Sequence, residues 1–233
     1  MLKKKYTHLF FDLDHTLWDT DANAKKSLEE MFVLFELQKH GVKDDTEFID
    51  KYLAINNRLW TDYSLGKIEK DFLRNGRFEL TLKLFDITNA DLVASMSDYF
   101  VERTPMNKAL MPFAEKLLHH IKPNYKLYII TNGFKEAQHR KLKSSDIAHF
   151  FEDVFISEEV GFHKPNPQIF FHAIEKANAQ CENCLMIGDN VETDMQGAIA
   201  AGMDCVYLNT TDFKHNYAVT FEIDSLHKLM EVL

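Results

Sequence analysis

Residues 10–17 read Phe10-Phe11-Asp12-Leu13-Asp14-His15-Thr16-Leu17. The run leading into them, Tyr6-Thr7-His8-Leu9-Phe10-Phe11, is short, aromatic and β-branched, and predicts a strand. Side chains at i and i+2 of an extended chain point the same way, so the strand offers the carboxylates of Asp12 and Asp14 together at its C-terminal tip. That tip is where open α/β sheets bind ligands. Two carboxylates so close stay ionised together only with a cation between them; otherwise one takes a proton. Both solutions are chemically useful. An ionised Asp12 is a nucleophile, and Asp14 can hold or release a proton as general acid and base. Taken alone, the pair also fits an Asp-rich turn.

Upstream of residue 103 the pattern is helical. Leu28, Met31, Phe32 and Phe35, with Leu34 an occasional member, recur at spacings of three and four before Gly41. Phe48, Tyr52, Ile55, Leu59 and Tyr63 mark one face of a helix over 47–65, and two more helices follow over 67–85 and 89–101. These four form an all-helical unit over 19–102, inserted after the first strand. From Pro105 helices and strands alternate: helix 112–121 opened by proline, strand 126–131, helix 135–145, strand 153–157, helix 167–177, strand 184–187, helix 193–201, strand 205–208 and a closing helix 225–233. Such alternation predicts a doubly wound parallel sheet built from 1–18 and 103–233, an α/β fold with a smaller helical domain.

The 233 residues suit this division at about 150 residues per domain. With 45% hydrophobic and 27% charged residues, 8 Gly and 5 Pro, the composition is that of a globular chain. A formal charge of -9 argues against a broad nucleic-acid or anionic-membrane surface. An anionic small substrate then needs a metal ion or a placed lysine. Lys3-Lys4-Lys5 resembles the start of a signal peptide, but the apolar stretch behind it is broken by Asp12 and Asp14. No later run approaches the ~18 apolar residues of a membrane span. The chain is expected in the cytoplasm. Three cysteines give no disulfide framework, and Cys181 and Cys184 form a lone CxxC whose second member opens a buried strand, a structural role.

In a parallel sheet each strand delivers its last residues to one edge, and polar groups accumulate there. The strand ending at Ile130 supplies Thr131, Asn132 and Gly133: a hydroxyl, an amide and a backbone N–H able to approach an oxyanion closely. The strand ending at Ile187 supplies Gly188 and Asp189, with Asp194 on or near the next helix, where it reads by itself as a cap. Lys164, before Pro165, is either a solvated charge or the neutralising partner of the carboxylates. His15 and His163 have no metal-ligand spacing and are expected to be structural or to line the cleft.

DLDHT, TNG, KP and GDNVETD, in this order, resemble the four motifs of the haloacid dehalogenase superfamily, over nearly all of the strand-helix core, and the inserted helices resemble that superfamily's C1 cap. The resemblance implies phosphoryl transfer through an aspartyl-phosphate, with Asp12 as nucleophile and Asp14 as general acid/base. Thr131, Asn132 and Gly133 would bind the phosphoryl group and Lys164 would neutralise it. Mg2+ would be bound by Asp12, Asp189 and the backbone carbonyl of Asp14, with Asp194 in its outer shell. Dehalogenases of the superfamily lack the need for Asp14 and the metal, so the intact set implies phosphate chemistry.

The stretches 55–63, Gly66 and 75–78 resemble the cap of the pyrimidine 5′-nucleotidases of this superfamily, and the core runs Ile130 to Phe134 and Ile156 to Gly161, before Lys164-Pro165, resemble theirs too. By that resemblance the substrate is a pyrimidine nucleoside monophosphate, with Trp60, Tyr63 and Phe134 stacking the base and Asn57 or Arg77 bonding to it or to the sugar. Read from the residues alone, Trp60 and Tyr63 equally suit packing of the helical unit. A sugar or glycolate phosphatase, a phosphomutase and a phosphate-binding module remain the other readings.

Overall fold

The computed structural model describes residues 6–233, so the lysine run at 3–5 lies outside the described residues. Strand β1 (His8–Phe11) is buried along Leu9, Phe10 and Phe11, as a strand covered on both faces must be. The chain divides into two compact units, one of Met1–Thr20 with Lys108–Leu233, the other of Asp21–Asn107.

The second unit is helical: α1 (Thr20–Leu34), α2 (Asp45–Ser64), α3 (Lys70–Lys83) and α4 (Ala90–Arg103). Asp44 opens α2, its carboxylate accepting the N–H groups of Thr46 at 2.7 Å and Glu47 at 3.2 Å, and Asn89 opens α4 by accepting that of Leu92 at 3.0 Å. Each cap satisfies donors the helix leaves unpaired, worth about 1 kcal/mol. The interior face carries Phe48, Tyr52, Phe78 and Phe100; the Tyr52 ring lies 4.8 Å from Phe78 and 5.3 Å from Phe100. Leu34 faces solvent.

The first unit continues with α5 (Ala114–Ile121), β2 (Lys126–Thr131), α6 (Lys135–Ser144), β3 (Asp153–Ile156), α7 (Ser157–Val160), α8 (Pro167–Lys176), β4 (Cys184–Gly188), α9 (Gln196–Ala200), β5 (Asp204–Leu208), β6 (Phe221–Ile223) and α10 (Leu226–Val232). Its six strands, among the described residues, form a parallel sheet in the order β3-β2-β1-β4-β5-β6. The order reverses beside β1, which pairs Phe11 with Ile129 of β2 and with Ile187 of β4. A ligand crevice belongs at such a switch point. Apolar clusters on both faces, one including Leu9, Phe11, Ile129 and Ile187, the other Phe10, Ile130, Phe170 and Met186, hold the sheet between its helices. Cys184 lies within β4, and the thiols of Cys181 and Cys184 meet the carbonyls of Ala201 at 3.4 Å and Gln180 at 3.2 Å.

Several boundaries differ from the sequence reading for local reasons. Phe113 is left-handed (φ 69°), so α5 starts at Ala114 and Pro112 belongs to the preceding turn. Ser157 opens α7 and is not part of β3. Helix 193–201 begins earlier, at a wide turn over Val191–Met195 that Asn190 caps by accepting the N–H groups of Glu192 and Thr193. Strand β6 is too short to give a periodic signal, and the sequence reading leaves it out.

Candidate active site

At the tip of β1 the ladder runs one residue further: the Asp12 N–H donates to the Ile187 carbonyl at 2.8 Å. The chain then turns tightly. The N–H groups of Leu17 and Trp18 both reach the Leu13 carbonyl, at 3.0 and 2.8 Å, and His15 stands in the left-handed region (φ 58°) with its N–H on the Trp18 carbonyl at 2.9 Å. The turn sends the two carboxylates to different partners.

Asp12 is buried and accepts from Lys164 Nζ at 2.7 Å. Lys164, only 2% exposed, also donates to Asp194 at 2.6 Å and to the Ile130 carbonyl at 2.9 Å, which uses all three of its N–H groups. Asn132 sets the lysine's backbone in place, its Nδ2 donating to the Lys164 carbonyl and its Oδ1 accepting the Lys164 N–H, both at 2.8 Å. The Lys164–Pro165 peptide is cis. One N–H of Asn132 Nδ2 therefore goes to the scaffold, leaving the second for a ligand. Asp194 is fully buried; it ties down Lys164 and accepts the Asn190 N–H at 3.2 Å, so capping falls to Asn190.

Asp189, at the tip of β4, accepts from the Thr16 hydroxyl at 2.8 Å. Carboxylate oxygens of Asp12, Asp189 and Asp194 lie within 4.8 Å of one another. Three carboxylates face one ammonium, and the excess shows in their proton affinities. Burial, reinforced by Asp194 and Asp14 and opposed by Lys164, pushes Asp12 up to about 7. Burial with the charges of Asp12 and Asp194 holds Asp189 well above the carboxylate range. Lys164 is pushed upward by Asp12 and Asp194 even though burial alone would lower it. Clustered carboxylate oxygens with an unbalanced negative charge suit a hard divalent cation.

Asp14 is treated differently. It accepts from Lys141 Nζ at 2.6 Å, Gln138 Nε2 at 2.9 Å and the Thr20 hydroxyl at 2.9 Å. Burial would raise its affinity for protons, but the Lys141 charge and the bonds from Lys141 and Gln138 bring it down to about 2. The Lys141 ammonium also lies 4.6 Å from the Trp18 ring centroid. Thr131 Oγ1 is buried and accepts from Gln138 Nε2 at 2.6 Å. Gln138 and Lys141 are not singled out by the sequence reading; in Lys135-Glu136-Ala137-Gln138-His139-Arg140-Lys141 they look like part of a solvated helix face.

Both glycines of the motifs stand where a side chain has no room. A Cβ at Gly133 would lie 2.5 Å from Gln138 Cδ, and one at Gly188 would lie 2.6 Å from Asp194 Cγ. His163 is half-buried, and burial lowers its pKa.

In the helical unit, Asn57 is exposed, and Trp60 and Tyr63 are half-buried with their rings edge-to-face at 5.8 Å. Arg77 is buried, donating to Asn56 Oδ1 at 3.3 Å with its guanidinium 5.2 Å from the Phe100 ring. Phe134, in the first unit, is buried immediately before α6.

A model of the haloacid dehalogenase-like hydrolases matches residues 6–202. The chain is 34% identical to the pyrimidine 5′-nucleotidase YjjG of Escherichia coli (strain K12), over 98% of each chain. It is 32% identical to the pyrimidine 5′-nucleotidase PynA of Streptococcus pneumoniae, over 98% of this chain and 95% of that one. A crystal structure of the HAD-hydrolase YfnB from Bacillus subtilis bound to magnesium is similar with a TM-score of 0.87, at 30% identity over 99% of both chains. No helix among the described residues is long and apolar enough to cross a membrane.

Proposed function

The chain belongs to the haloacid dehalogenase-like hydrolase family, and from that premise we propose that it is a Mg2+-dependent phosphatase of nucleoside monophosphates, a pyrimidine 5′-nucleotidase working in the cytoplasm. The observation that carries the chemistry is the divergence at the tip of β1: Asp12 facing Lys164 inside the carboxylate cluster, Asp14 held apart by α6. The substrate class is carried by the two nucleotidases that match this chain almost end to end.

Asp12 attacks phosphorus and the phosphoryl group passes to its carboxylate, while the ester oxygen leaves with a proton from Asp14, which must first take that proton from water because Lys141 and Gln138 keep it ionised in the free site. Asp14, now ionised, takes a proton from water as that water attacks the aspartyl-phosphate and releases inorganic phosphate with Asp12 restored. The Thr131 hydroxyl, the second N–H of Asn132 Nδ2 and the Gly133 N–H bind the phosphoryl oxygens. Lys164, anchored by Asp194, offsets the charge of Asp12. Asp12, Asp189 and the Asp14 carbonyl would hold Mg2+, with Asp194 behind them; a bound Mg2+ supplies charge neutralisation for phosphoryl transfer. Asn57, Trp60 and Tyr63 of the helical unit and Phe134 of the sheet unit are the residues assigned to recognising the nucleoside, and Arg77 donates to Asn56.

Phosphate release from a panel of nucleoside and sugar monophosphates, with Mg2+ and with EDTA, tests this reading. Metal-dependent preference for UMP, dUMP or dTMP is the expected result. Preference for a sugar or glycolate phosphate would keep the core chemistry and remove the pyrimidine assignment.

A further inference from the structure

Gln138 lies fully buried on α6, and both hydrogens of its amide end on groups of the site: Nε2 donates to Thr131 Oγ1 at 2.6 Å and to Asp14 Oδ2 at 2.9 Å. Its Oε1 is buried and bonded to nothing among the described residues. Turning the amide over would set Oε1 against Asp14 Oδ2 and lose both bonds, so the two partners fix its orientation. The side chain also has nowhere to swing. A Cβ at Gly133 would lie 2.5 Å from its Cδ and 2.6 Å from its Nε2, so the bare backbone of the phosphate loop packs directly on the amide.

A buried amide with an unpaired oxygen is a poor choice for stability, since an apolar side chain of the same length leaves no acceptor unsatisfied. What the amide achieves is directional. By donating into Thr131 Oγ1 it occupies an oxygen lone pair, and the hydroxyl proton must point away from Gln138. With its other hydrogen it fixes the Asp14 carboxylate relative to that hydroxyl. We propose that Gln138 is a positioning residue that ties the phosphate-binding Thr131 to the acid/base Asp14, so that the donor to the phosphoryl oxygen and the donor to the leaving oxygen are held in one geometry. This rests on the reading of Asp12 and Asp14 given above. Gln138 reaches the reaction only through the two side chains it joins.

The test is Gln138→Met, which keeps the length and removes both N–H groups, assayed on UMP, whose leaving oxygen needs a proton, and on p-nitrophenyl phosphate, whose leaving group needs little. Asp14 acts through leaving-group protonation, so kcat/KM for UMP should fall about 10- to 100-fold and that for p-nitrophenyl phosphate by clearly less. In an Asp14→Asn background the difference between the two substrates should vanish. Equal losses on both esters, no loss, or the same discrimination in the Asp14→Asn background would each overturn the proposal. Gln138→Glu, of the same shape, carries the same comparison if the methionine variant does not fold; if neither folds, the side chain is a structural requirement and the proposal falls. A wild-type chain inactive on every ester would instead defeat the phosphatase reading itself.

Discussion

Replacing Lys164 by methionine removes one positive charge and little volume from a buried cluster of charges. The ammonium has three partners: Asp12 at 2.7 Å, Asp194 at 2.6 Å and the Ile130 carbonyl at 2.9 Å. Each bond to a carboxylate is worth about 1.5–3 kcal/mol and the bond to the carbonyl about 1 kcal/mol. Methionine recovers part of that sum through apolar burial, so the net loss comes to about 3–5 kcal/mol, the range for removing one member of a buried ion pair. Against a folding free energy of about 5–15 kcal/mol the variant is folded but marginal. The sign with pH follows from Asp12. Its folded pKa is raised from 3.8 to about 7, so between those values the folded chain binds more protons than the unfolded one and this group's contribution falls as pH rises. Without Lys164 the rise is larger. The loss in Lys164→Met must therefore be greater at pH 8 than at pH 5.5, where Asp12 can neutralise itself.

The chain has 2 tryptophans, Trp18 in the sheet unit and Trp60 in the helical unit. A Trp60→Phe background leaves Trp18 to report unfolding of the unit that carries the change, which avoids treating two compact units as one two-state system. Urea titrations by Trp18 fluorescence at the two pH values measure the loss. A loss under about 1 kcal/mol at pH 8, or an equal loss at both pH values, would show that Lys164 is not the neutralising partner and would refute the reasoning.

Asp12→Asn should lower phosphatase turnover by at least about 10^4-fold with an unchanged circular dichroism spectrum, because it removes a nucleophile and no volume; retained turnover would sink the aspartyl-phosphate assignment. Trp60→Ala should raise KM for UMP about 5-fold or more with little change for p-nitrophenyl phosphate, as expected for lost base stacking, and equal effects on both would make Trp60 a packing residue. Asp12 and Asp189 hold protons more tightly than ordinary carboxylates, so Mg2+ binding should release protons and tighten as pH rises past about 7. Calorimetry in two buffers of different ionisation enthalpy measures that release, and a buffer-independent heat would count against the cluster as the metal site.

All the described strands but β6, and the residues at their tips, were readable from sequence because one physical rule, parallel strands ending at a common edge, makes neighbours of Asp12, Thr131, Gly188 and Asp189. Partner choice was not readable. Asp12 and Asp14 share a side of an ideal strand, yet β1 ends at Phe11 and the turn through His15 separates them. Gln138 and Lys141 stand 124 and 127 residues from Asp14, and nothing in the polar run that contains them distinguishes a buried face from a wet one. Their placement is a product of β2 lying against β1, which sets the helix after β2 over the turn after β1, burying Gln138 and half-burying Lys141. Arg77 shows the opposite limit: an arginine in a candidate cap invites a ligand role, and the fold buries it against Phe100.

Charge arithmetic at the site constrains what can enter it. A phosphate monoester brings further negative charge to three carboxylates already in excess over one ammonium. Lys164 cannot answer that charge without leaving Asp12, Asp194 or the Ile130 carbonyl, since each of its N–H groups is committed. Lys141 is spoken for by Asp14. On the proposed binding set, what remains for the phosphoryl oxygens among the described residues is neutral: the Thr131 hydroxyl, one N–H of Asn132 and backbone N–H groups. Neutral donors orient an anion well but do not cancel its repulsion with buried carboxylates. A cation shared with Asp12 and Asp189 does cancel it, and by linkage whatever binds the anion more tightly in the cation's presence must bind the cation more tightly in the anion's. Substrate phosphate and divalent cation are therefore expected to enter this site as mutually dependent ligands, with Lys164 assigned to keeping Asp12 and Asp194 in place while they do.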